Sequence, residues 1–102
     1  MKLQLTPQAE QELVAINQRI DEAGDEGYDD MCESLNRHEQ LITDAGMYVN
    51  EAYKENEFDD LNEWCISVGN AEYSQTYLNT HPNVVREKVD MMLRKDIITI
   101  VD

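Results

Sequence analysis

The sequence predicts a mainly α-helical single domain over residues 1–102: four to five helices in a compact bundle, with a short two-stranded β element available to the termini. Three observations carry that expectation. Apolar residues recur at spacings of three and four along most of the chain, the period of a helix with one buried face. Two clear helix starts are written as Thr6-Pro7 and Thr80-His81-Pro82. A chain of 102 residues, 41% of them hydrophobic, is enough for one core.

The elements follow in order. Residues 2–5, Lys-Leu-Gln-Leu, alternate and read as a short strand. Thr6 then caps a helix whose first position is Pro7. Ala9, Leu13, Ile16 and Ile20 form its apolar stripe with Val14 alongside, so the spacing predicts a helix over 7–23, ended by Gly24 and Gly27. A second helix opens near Tyr28. Tyr28, Met31, Leu35, His38, Ile42, Ala45, Val49 and Ala52 keep one seam over about seven turns. That pattern favours one helix, straight or bent, to about residue 55, against a break near Asp44–Gly46. Gly46 inside it costs about 1 kcal/mol relative to Ala.

A third helix begins near Phe58 and presents Phe58, Leu61, Trp64, Cys65 and Val68, until Gly69 and Asn70 stop or kink it. Residues 71–79 read as a further helical piece carrying Tyr73, Tyr77 and Leu78. Val85, Val89, Met92 and Leu93 mark a final helix over 82–95. The last residues, 96–102, become β-branched. They pair with residues 2–5, extend the last helix, or offer an edge to a partner.

Charge is the strongest feature. Twenty-two acids face eight bases, for a net charge of −14. Residues 1–20 are balanced, with two acids and two bases. Residues 21–63 carry fifteen acids against Arg37 and Lys54, a net −13. Residues 64–102 carry five acids and four bases, a net −1. Such a surface repels nucleic acid and anionic membranes and attracts basic proteins.

Two runs hold most of the excess, DEAGDEGYDDMCE at 21–33 and EAYKENEFDDLNE at 51–63. Thirteen helical residues span about 20 Å, so seven charges fall roughly every 3 Å. One strand of B-DNA carries a phosphate about every 3.4 Å. The candidate partner-binding residues are therefore Asp21, Glu22, Asp25, Glu26, Asp29, Asp30 and Glu33, with Glu55, Glu57, Asp59, Asp60 and Glu63. Each would stand in for a phosphate facing a partner's Lys or Arg. Tyr28, Tyr53 and Phe58 flank the runs as apolar anchors. Part of the first run has a local reason, because acids at a helix start are favoured by the helix dipole.

Other chemistry finds little support. A calcium loop beginning at Asp21 would place Ala23 third and Cys32 twelfth, and one beginning at Asp44 would place Gly46 third and Tyr48 fifth, where oxygen ligands are needed. Cys32 and Cys65 are far apart in sequence and read as reduced cysteines partly inside the core. His38 falls on the apolar seam as a satisfied or interface residue, and His81 precedes Pro82 as a cap. With no phosphate loop, nucleophile elbow or metal cluster, the sequence leads us to expect no catalytic residue, no metal and no cofactor. No run of about 18 apolar residues occurs, and MKLQLTPQAE lacks a signal-peptide core, so a cytoplasmic location in a bacterial or phage-infected cell is expected.

Leu5 to Leu13 looks like the first helix of ParE-like toxins, whose basic, sheet-borne surfaces this acidic chain lacks. In size, charge pattern and want of catalytic motifs, the chain resembles the small acidic inhibitors of phages and mobile elements. These are the anti-restriction and anti-CRISPR classes, several of which mimic DNA. The resemblance implies an inhibitor that occupies the basic groove of a nucleic-acid-binding protein or complex. The alternative is a small helical assembly or regulatory protein. Its seam Met31–Ile42–Val49 would form a homodimer or dock a partner, as in an antitoxin-like neutraliser, while its acids keep it soluble.

Overall fold

The computed structural model describes residues 2–51 and 60–101. The termini pair as one antiparallel ribbon, Lys2–Leu5 (β1) against Ile98–Val101 (β2), with Leu3 opposite Ile100 and Leu5 opposite Ile98. Of the three readings open for the C-terminal residues, the strand is the one formed. Thr6 fastens this ribbon to the first helix. Its backbone N–H donates to the Ile97 carbonyl at 3.0 Å, and its hydroxyl donates to the Asp96 carbonyl at 2.6 Å. The same hydroxyl oxygen accepts from the Ala9 N–H at 3.3 Å, which is the expected N-cap.

The first helix, α1 (Pro7–Ser34), is interrupted at Gly24, whose backbone sits at φ 68°, ψ −177°. That region is open essentially to glycine alone. The interruption is a sharp bend. Arg19 Nη2 lies 3.9 Å from the Met31 sulfur, whereas twelve residues of straight helix would separate the two positions by about 18 Å. The helix end expected at Gly24 is therefore found. Gly27 is not an end; it lies inside the second limb, which runs from residue 25 to 34.

The single long helix expected from Tyr28 to about residue 55 is not formed. The chain leaves the helix at Leu35, which is extended (φ −65°, ψ 131°), and restarts as α2 (Arg37–Gly46). A capping box causes the restart. The Asn36 side chain accepts from the Glu39 N–H at 2.8 Å, and the Glu39 carboxylate accepts from the Asn36 N–H at 3.1 Å. Gly46 is no break either, because the chain runs on into a π-helical turn, Met47–Glu51. Gly46 is buried against Leu13, and a Cβ there would stand 2.5 Å from Leu13 Cδ2. Its lack of a side chain lets α2 close on the first limb of α1.

Helix α3 (Leu61–Glu72) starts three residues later than expected, at an Asp60 cap. Phe58, and the start placed there, lie outside the described residues. Gly69 does not stop α3; it is buried where Leu78 and Val85 pack. Helix α4 (Gln75–Thr80) follows a Ser74 cap, and α5 (Val84–Arg94) is the final helix, shorter at its start than the expected 82–95. His81 ends α4, donating its backbone N–H to the Tyr77 carbonyl.

Packing runs α1 on α2, α2 on α5 and α5 on α3, so α1 and α3 are the outer members of the series. Trp64, Tyr48, Ile42, Met92, Ile97, Val68 and Val89 are fully buried, and Trp64 meets Tyr48 edge to face at 6.1 Å. Lys88 of α5 reaches the Asp44 carboxylate at 3.3 Å and the Tyr73 hydroxyl at 3.0 Å, tying α5 to α2 and to the end of α3. Burial alone would lower the Lys88 pKa, but the Tyr73 and Asp44 contacts outweigh it and raise the pKa. Among the described residues no helix is long and apolar enough to cross a membrane.

The bend at Gly24 generates a prediction that reverses the usual helix rule. Open space surrounds the position, so a Cβ meets nothing, yet the backbone angle forbids one. Gly24→Ala is expected to destabilise the protein by about 1–3 kcal/mol in urea titration, whereas Ala in a regular helix gains about 1 kcal/mol over Gly. A stabilised variant would mean that α1 is not bent at Gly24.

Candidate functional site

From Asn17 to Ser34 no side chain is buried. Ordinary surface helices bury an apolar stripe; in this half of α1 only Ile20, partly buried, packs against the core among the described residues. Beyond Gly24 its contacts to the rest of the protein are peripheral. Arg19 pairs with Glu39 at the start of α2, and Leu35, just beyond the helix end, enters the core. Together the Gly24 bend and the Asn36 restart hold a short, highly charged limb at the edge of the bundle.

All seven carboxylates of the first run, Asp21, Glu22, Asp25, Glu26, Asp29, Asp30 and Glu33, are exposed. Among the described residues none of them is in an ion pair. The ion pairs lie elsewhere, Arg19 with Glu39, Arg86 with Asp90 at 3.2 Å and Lys88 with Asp44, and the His38 ring meets Glu12 at 3.4 Å. Within the cluster, one neutral contact is formed, Gln18 to Glu22 at 3.4 Å. His38, expected as a satisfied or interface residue, is one half of an α1–α2 contact.

The bend sorts the seven. Asp21 and Glu22 close the first limb. Asp25, Glu26, Asp29, Asp30 and Glu33 fall on the second limb within an arc of about 140° at 3.6 residues per turn. Their spacing along the axis is about one carboxylate per 3 Å, close to the phosphate spacing of a DNA strand. Tyr28 lies beside this arc, 52% exposed. A hydrogen bond with Cys32 raises its phenol pKa, with the Cys32 charge next in importance.

The second run is differently placed. Asp60 is spent on capping α3, accepting from the Glu63 N–H at 2.8 Å. Both Asp60 and Glu63 are exposed. Glu55, Glu57 and Asp59, with the flanking Tyr53 and Phe58, lie outside the described residues. Because α3 and α1 are the outer helices, the described acids of the two runs sit on different helix pairs.

The groups with the strongest electrostatic perturbation belong to the body of the fold. The Asn36 backbone N–H, and then Arg19, hold the Glu39 carboxyl below its ordinary range. Burial, and then the Tyr73 hydroxyl, push the Tyr48 phenol far upward. Burial also raises the Cys65 thiol, which is inert in such a setting. Sequence reasoning missed the Glu39–Arg19 contact that anchors the acidic limb, although Asn36-x-x-Glu39 is a readable capping box.

Like charges three and four residues apart on an exposed helix destabilise it by about 0.2–0.5 kcal/mol per pair. The second limb contains five such pairs: Asp25–Asp29, Glu26–Asp30, Asp29–Glu33, Glu26–Asp29 and Asp30–Glu33. The double variant Asp29→Asn, Asp30→Asn should therefore melt at a higher temperature than the native protein in low salt. Asn and Asp have similar helix propensity, so charge is the main change. The difference should shrink in about 1 M NaCl, where the screening length falls to about 3 Å. An unchanged or lower melting temperature in low salt would mean that these carboxylates make stabilising contacts.

Comparison with protein-family models, with curated proteins and with solved structures finds no match to this chain.

Proposed function

We propose that the protein is an acidic inhibitor that binds a basic nucleic-acid-binding protein or complex, such as a CRISPR or restriction effector, and blocks its nucleic acid by mimicking phosphate charge. The observation that carries this reading is the limb from residue 25 to 34. It spends no side chain on the core, pairs none of its acids and spaces them like phosphates. A protein gains no stability from such an arrangement. A partner's Lys and Arg side chains would neutralise it, and Tyr28 would add apolar contact at the rim. The acids of the first limb, Asp21 and Glu22, extend the surface across the bend. Asp60 and Glu63 would contribute only to a partner broad enough to reach the α3 side. Such an inhibitor would act in the cytoplasm of a bacterial or phage-infected cell, where those effectors work.

A dimer or docking protein built on the Met31–Ile42–Val49 seam is less well supported. Ile42 is wholly buried and Val49 is 8% exposed in the chain's own core, leaving them no face for a partner.

Charge reversal separates the two readings. Purified basic effectors of the restriction and CRISPR type, loaded with DNA, would be titrated with the native protein and with Asp29→Lys, Asp30→Lys. The native protein should release DNA in a mobility-shift assay, and the variant should be weaker by about tenfold or more, because like charges then face each other. Raising salt should weaken the native protein as well, mainly through its association rate. Equal inhibition by native and variant protein would refute the mimic reading.

A further inference from the structure

A second site lies on the opposite side of the packing series from the acidic limb, in a cleft of about 460 Å³ between α3, α4 and α5. Its volume falls within the range of ligand-binding clefts. Its polar lining is made of side-chain amides: Asn62 and Asn70 from α3, Gln75 and Asn79 from α4, and Asn83 from the turn before α5. Leu78 and Val85 form an apolar floor, and Ile66 stands on the rim, 56% exposed. Arg86 is the one charged residue of the lining. In a chain with 22 acids among 102 residues, none of the acids among the described residues lines this cleft.

The amides are available. Gln75 donates to Asn79 at 3.0 Å, but the Asn62, Asn70 and Asn83 side chains make no hydrogen bond among the described residues. Asn83 precedes α5 without capping it through its side chain. Each free amide offers an acceptor oxygen and two donor hydrogens, the complement of a peptide group. Asn62, Ile66 and Asn70 follow one another at intervals of four along α3, a row about 12 Å long. Three to four residues of extended chain cover that length. Such a chain presents a peptide group at each step and a side chain toward the floor at every second one. Among the described residues no aromatic side chain lines the cleft, so a nucleobase would find no stacking platform there.

The geometry points to a binding site for a neutral, extended peptide segment in this cleft, held by the amide rows with an apolar side chain on the Leu78–Val85 floor. The site goes beyond the inhibitor reading and does not rest on it. Arg86 is partly engaged with Asp90, and it would repel a basic residue placed directly in the cleft.

The full-length chain, immobilised, would be panned with a displayed library of random twelve-residue peptides. Enriched peptides would then be measured by fluorescence anisotropy against three variants. Peptides sharing a stretch of at least three uncharged residues are expected. Their affinity should fall about tenfold or more in Asn70→Ala, Asn83→Ala, where two amide partners are lost, and in Ile66→Arg, where the rim is blocked. Asn70→Ala raises helix propensity, so loss of binding there would not reflect unfolding, and circular dichroism would verify this for each variant. Binding should be unchanged in Asp29→Asn, Asp30→Asn. The proposal is overturned by a lack of enrichment or by peptides indifferent to the amide variant. Basic peptides lost only when Asp29 and Asp30 are neutralised, or displacement of the peptide by adenosine monophosphate, would overturn it too.

Discussion

A backbone angle that only glycine holds comfortably, at Gly24, divides the longest helix into a limb that belongs to the core and a limb that does not. Ala9 and Ile16 on the first limb are buried, and Leu13 beside them closes on Gly46 of α2. Beyond Ile16 no residue of α1 is buried. The bend brings Met31 back to Arg19, and Arg19 in turn holds Glu39, whose carboxylate completes the capping box of α2. The position of the acidic limb therefore depends on one glycine, one arginine and one capping box. Without the bend, the second limb would carry its charge away from the bundle.

The charge pattern works against compactness, so stability must come from elsewhere. It comes from a core joined across sequence extremes. Thr6 hydrogen-bonds to the carbonyls of Asp96 and Ile97, and β1 pairs with β2, so the two ends of the chain close on each other. Trp64 and Tyr48 fill the middle with two large rings. Among the described residues, Arg19, Arg86 and Lys88 pair with Glu39, Asp90 and Asp44, and His38 meets Glu12, all on the packed helices. The acids of 21–33 receive none. The ion pairs of the described residues thus lie in the body of the fold, and the limb is left charged.

Much of the fold was legible from short-range chemistry. Thr6-Pro7 marks a helix start in any context, Gly24 marks an end, and the β-branched tail left three readings open, of which pairing with the other terminus is the one formed. The break at Leu35–Asn36 was hidden because the apolar seam continues through it: Leu35 is buried in the extended link just as it would be in a helix. The capping box Asn36-x-x-Glu39 was the signal that outweighed periodicity. Gly46 read as a cost inside one helix and Gly69 as a stop or kink, but Gly46 is a site of close helix approach and Gly69 a buried packing position, which sequence cannot show without the partner side chains. The acidity of 21–33 was plain in composition. That its acids would be unpaired, and that those of Asp60 and Glu63 would sit on a different helix pair, depended on packing order. The amide cleft carries no motif, because its lining comes from α3, α4 and the turn before α5, and only the fold assembles it.

The claim that the acidic limb stands against its own repulsion, held by few contacts, is tested most directly by amide hydrogen exchange along α1 and α5 at about 0.01 M and about 1 M salt, where the screening length falls from about 30 Å to about 3 Å. Amides of residues 28–34 should exchange at least about tenfold faster than those at the centre of α5 in low salt, and should slow as salt rises. Protection equal to that of α5 and indifferent to salt would contradict the claim, since it would mean that the limb is held as firmly as the core.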